Sequence, residues 1–85
     1  MPVVFRSDGL RYFFFSNEGS PREPPHIHVK GGGCDAKIWL EPDVSIAESH
    51  GFNSGQLRHI LQTVVQNKNL ILRDWNEYFS NSSKI

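Results

Sequence analysis

The chain has a single cysteine, no net charge and no long apolar run, and each shortage excludes something. Cys34 alone cannot close an internal disulfide, so packing and hydrogen bonds must hold the fold. Nine basic residues are balanced by nine acidic ones, which argues against a broadly electropositive nucleic-acid binder that works by counterion release. Only a local basic patch stays compatible with that balance. No segment approaches the roughly 20 apolar residues that span a bilayer, and Met1-Pro2-Val3-Val4-Phe5-Arg6 lacks the h-region and cleavage site of a signal peptide. Cytoplasm, with no membrane contact, is the expected location. At 85 residues the chain is expected to form one domain over 1–85 with a thin stability margin. An unshared sheet edge or apolar patch then calls for a partner or a second copy.

Val3-Val4-Phe5 is a short β-prone run, and Ser7-Asp8-Gly9 after it supplies turn chemistry. Leu10 to Phe15 reads as a second strand with Leu10, Tyr12 and Phe14 on one face and Arg11, Phe13 and Phe15 on the other. Aromatics on both faces imply a central or covered strand. Residues 17–25 contain Gly19, Pro21, Pro24 and Pro25 and read as a stiff, exposed loop, because proline has no amide to donate to a ladder. Pro24-Pro25 biases the backbone toward an extended path that leads into a third strand at His26. Gly31-Gly32-Gly33 then turns the chain into Ala36-Lys37-Ile38-Trp39-Leu40, a fourth strand.

Alternate residues of a strand share a face, so Ile27, Val29, Ala36, Ile38 and Leu40 form one apolar surface. The opposite face then carries His26, His28, Lys30, Lys37 and Trp39, with both imidazoles side by side toward water. Val44 to Ala47 reads as a short edge strand or as a segment lying along the sheet. From Asn53 or Ser54, either of which can cap a helix, the period changes to 3.6. Leu57, Ile60, Leu61, Val64 and Val65 make one stripe, and Ile71, Leu72, Trp75, Tyr78 and Phe79 a second, separated by Asn67-Lys68-Asn69. Ser80 to Ile85 reads as a frayed tail. The pattern predicts an α+β fold: an antiparallel sheet of about four strands followed by two C-terminal helices packed on one face.

Imidazole titrates nearest neutrality, so His26 and His28 are candidates for proton transfer, metal binding or anion binding. As catalytic residues they would cleave a phosphodiester, one taking the proton of a 2′-hydroxyl and the other protonating the leaving oxygen. Arg22, Lys30 and Lys37 would bind the anion, and Trp39 would stack a base, a set that suits single-stranded RNA. A metal site would need further donors from His50, Cys34, Glu23, Asp35 or Glu41, and neither His50 nor Cys34 shows the close pairwise spacing of a structural zinc site. The plainest alternative makes the histidines structural, bonded to the neighbouring loop. His59 reads as a boundary residue of the helix, Trp75 and Phe79 as core or interface, and Gly31-Gly32-Gly33 as a turn, since no helix follows it to bind phosphate. No cofactor or resident metal is expected.

Arg22-Glu23-Pro24-Pro25-His26-Ile27-His28-Val29, Ala36-Lys37-Ile38-Trp39-Leu40, Ser49-His50-Gly51-Phe52 and Trp75-Asn76-Glu77-Tyr78-Phe79 together resemble the small prokaryotic domain of unknown function number 4160 over almost the whole chain. The signature positions are Pro25, His26, His28, Lys37, Trp39, Gly51, Phe52 and Trp75, none with an assigned chemical role. The resemblance implies one half of a two-gene module, similar to toxin–antitoxin pairs, with a cognate small protein as partner. The expected activity is therefore binding of RNA or a partner protein through the open sheet face, with ribonuclease action as its sharper form. The competing expectation is a non-enzymatic protein-interaction module, and a third is a metal-binding protein.

Overall fold

Two tight turns place the first four strands. The computed structural model of the chain describes residues 3–15 and 23–83, with side chains as far as Phe79. β1 (Val3–Ser7) and β2 (Leu10–Phe13) are joined by Asp8 and Gly9 at φ 53° and 78°. β3 (His26–Gly31) and β4 (Cys34–Trp39) are joined by Gly32 and Gly33 at φ 58° and 79°. Successive positive φ values give the turn twist that matches a right-handed hairpin, which is why Asp-Gly and Gly-Gly stand there. The second turn is shorter than expected, because two residues suffice: Gly31 still pairs within β3, and β4 starts at Cys34. Gly31 faces the first hairpin so closely that a Cβ there would lie 2.5 Å from Leu10 Cδ2 and 2.8 Å from the Gly9 carbonyl oxygen.

The sheet has five strands rather than about four, in the order β1-β2-β3-β4-β5 with every neighbouring pair antiparallel. β5 (Ser45–His50) is longer than the short Val44–Ala47 element expected. A register shift between Lys37 and Ile38 leaves Ala47 as an extra residue on β5. That bulge breaks the alternation of period two by which a strand is recognised. The Leu40 amide donates to the Pro25 carbonyl at 2.9 Å, extending the β3–β4 connection to the start of the strand pair.

Asn53 caps α1 (Ser54–Gln66): its side chain accepts from the Gln56 amide and the Gln56 side chain accepts from its backbone N–H, each at 2.8 Å. The Asn67 amide closes the helix on the Thr63 and Val64 carbonyls, and α2 (Lys68–Ser83) begins at once. The break at the asparagines is as expected, whereas the helix continues through most of the expected tail; residues 84 and 85 lie outside the described residues.

Both helices cover one face of the sheet. Ile60, Val64, Ile71 and Trp75 pack with Tyr12, Phe14, Ile27, Val29, Ala36, Ile38 and Leu40 in a single apolar cluster. Val65, expected on that face, is instead 58% exposed, because α1 turns Ile60, Thr63 and Val64 inward. Phe13 is buried on the other side of β2, consistent with that strand lying inside the sheet.

Candidate functional site

Cross-strand register assembles a polar and aromatic face opposite the helices. His26, His28 and Lys30 of β3 stand opposite Trp39, Lys37 and Asp35 of β4. β2 adds Phe13 opposite His28 and Arg11 opposite Lys30, while β5 adds Glu48 opposite Lys37 and His50 opposite Asp35. A groove of about 240 Å³ runs over this face, lined by Phe13, Phe15, His28, Lys30, Asp35, Lys37 and Glu48. The sequence-predicted residues His28, Lys30 and Lys37 meet there, with Trp39 next along β4. Arg22 and most of the proline-rich loop lie outside the described residues.

His28 is half-buried, its ring 4.4 Å from that of Phe15 and 5.7 Å from that of Phe13. Lys37 Nζ lies 4.6 Å from the centre of the Trp39 ring and donates to Glu23 Oε1 at 2.7 Å. This charge-assisted bond holds the Glu23 carboxyl below the ordinary glutamate value, partly opposed by desolvation. Lys37 is thus committed on two sides, to an indole face and to a carboxylate, whereas Lys30 is exposed.

His26 corrects the expectation that both imidazoles face water. It is 0% exposed. Its Nδ1 donates to the Pro24 carbonyl at 2.9 Å, so that nitrogen carries a proton, since a carbonyl oxygen can only accept. The ring lies 5.4 Å from Trp39, 5.1 Å from Trp75 and 5.2 Å from His28. Two causes act together: the Pro24-Pro25 backbone presents a carbonyl to the imidazole, and Trp75 of α2 packs against the same ring. The second contact comes from a distant part of the chain that strand alternation does not sense.

Sequence reasoning did not assign Phe13 and Phe15 to the site, although their alternation with Arg11 already placed them on the right face. It named Glu23 and Asp35 only as further metal donors and missed Glu48, whose place beside Lys37, like that of Asp35 beside Lys30, depends on register. Among the described residues, no three His, Cys, Asp or Glu side chains come together in a way that could hold a metal ion. His50, Cys34 and Glu41 therefore do not complete a site around the histidine pair. Away from this face, His59 pairs through Nε2 with Asp8, tying the first turn to α1 beside a groove of about 420 Å³.

No curated protein and no solved structure matches the chain. Residues 9–76 match the family described as Domain of unknown function (DUF4160).

Proposed function

The chain belongs to the DUF4160 family, and we propose that it is a non-enzymatic interaction component of a two-gene, toxin–antitoxin-like module, binding a cognate small protein through the open sheet face. One observation carries this reading: the groove is charge-balanced. Lys30 and Lys37 line it together with Asp35 and Glu48, and Lys37 is further paired with Glu23. A phosphate backbone is attracted by uncompensated cations, whereas alternating charges around half-buried aromatics suit a protein surface of complementary pattern. Trp39 and Phe15 are the natural anchors, since aromatic side chains in desolvated pockets carry most of the energy of such interfaces.

Ribonuclease action is not part of the proposal. Two imidazoles must reach one phosphodiester to act as its acid and base, and His26 is sealed from solvent with Nδ1 bonded to Pro24. Its role is positioning: it fixes the approach of Pro24 to the sheet and supports Trp39, which stands opposite it. The proposed setting is the cytoplasm; among the described residues no helix is long and apolar enough to cross a membrane.

The test is co-expression with the small protein encoded alongside, followed by size-exclusion chromatography of the pair. A complex weakened about tenfold or more by Trp39→Ala or Lys37→Glu, with the chain still folded, is the expected result. The reading fails if no complex forms and labelled single-stranded RNA instead binds in a salt-dependent way that Lys30→Ala and Lys37→Ala abolish.

A further inference from the structure

β5 is the last strand of the sheet, and nearly all of its residues are exposed. Among the described residues no strand pairs with its outer edge, which has a definite hydrogen-bonding phase. Gly31 and Cys34 flank a two-residue turn and so form a hydrogen-bonded pair. Stepping along β4, Ala36 turns its amide and carbonyl toward β3, while Asp35 and Lys37 turn theirs toward β5. His50 and Glu48, opposite them, are thereby occupied, and Ser49 presents its N–H and C=O outward. The bulge at Ala47 takes the preceding residues out of line, so the straight part of the edge runs from Glu48 to His50.

We propose that this edge pairs with the same edge of a second copy, antiparallel, with the two-fold axis at Ser49. Within Glu48 to His50 no other axis brings two outward-facing residues together. Ser49 of one copy exchanges both backbone hydrogen bonds with Ser49 of the other, and Glu48 of each stands opposite His50 of the other. These flanking positions are non-hydrogen-bonded pairs, where side chains approach most closely.

Charge complementarity selects a second copy as the occupant. Across the joint the open face would read Lys37, Glu48, then His50, Asp35 and Lys30 of the other copy, so that basic and acidic side chains alternate. The symmetry writes this row twice. Such an isologous contact closes on itself as a dimer, whereas pairing β5 with β1 would propagate head to tail into rings or filaments. The groove with its partner-binding role is not required for this pairing.

Sedimentation equilibrium of the full chain from micromolar to millimolar concentration tests the proposal. A monomer–dimer equilibrium is expected. Asp35 and Lys37 are the neighbouring charges from β4 in both states. Glu48→Lys or His50→Glu should each weaken the dimer about tenfold, since each change acts twice, and the two together should restore it. Ser49→Pro removes only the outward N–H and should leave a folded monomer. A monomer at every concentration, larger polymers, or a dimer indifferent to these charge reversals would overturn the assignment.

Discussion

Replacing His26 by alanine should unfold the chain far more readily than replacing His28. Loss of the Nδ1 donor removes a part-buried hydrogen bond to the Pro24 carbonyl, which costs about 1–3 kcal/mol. Truncating a ring packed between Trp39 and Trp75 opens a cavity worth about 2–3 kcal/mol more. The sum, about 4 kcal/mol, is a large share of what a domain this small can have. At roughly 4–8 °C per kcal/mol for a chain of this size, the midpoint of thermal unfolding should fall by about 15–30 °C. His26→Phe keeps the ring but not the donor, so only the cost of the hydrogen bond, about 1–3 kcal/mol, should remain. His28→Ala, at a half-buried position, should cost about 1 kcal/mol. Circular dichroism melts of the three variants give the order directly. If His26→Ala melted no lower than His28→Ala, the imidazole would not be holding the strand, and an acid–base role for the pair would return.

Further outcomes follow from other contacts. Glu23 has its carboxyl held low in the fold by Lys37, so its contribution is present above the unfolded value near 4.3 and is lost as pH falls through the lower folded value; melts from neutral to acid pH should therefore converge for wild type and Glu23→Gln. Burial pushes the Tyr12 hydroxyl up, opposed by Thr63 and reinforced by Asp8, and the hydroxyl has no partner of good geometry among the described residues. Tyr12→Phe should be neutral or stabilising by up to about 1 kcal/mol. It should also flatten the stability loss that sets in as pH rises above about 10; a clear loss of stability at neutral pH would show that the hydroxyl is bonded. Gly31→Ala should cost about 1–3 kcal/mol because the new methyl meets a backbone carbonyl, measured by urea denaturation. At Gly33 a Cβ meets nothing within 4 Å but the positive φ strains it, so Gly33→Ala should cost about 1 kcal/mol while Gly33→Asn is better tolerated.

Local chemistry determined much of this architecture from the amino-acid sequence. Asp8-Gly9 and Gly32-Gly33 marked their turns because residues that tolerate the positive φ demanded there stand at those places. Ile27, Val29, Ala36, Ile38 and Leu40 marked the covered face because alternation along a strand is fixed by the pleat, and Asn53 with Gln56 marked the helix start because a cap uses only neighbours. Tertiary structure alone decided the rest. β5 was under-read because the bulge at Ala47 shifts its register against β4. His26 went out of water because Trp75, remote in sequence, closes over it. The open face turned from cationic to balanced because pairing register sets Asp35 and Glu48 beside the lysines. In each case the deciding contact joins two different elements, and no period or propensity within one element encodes such a contact.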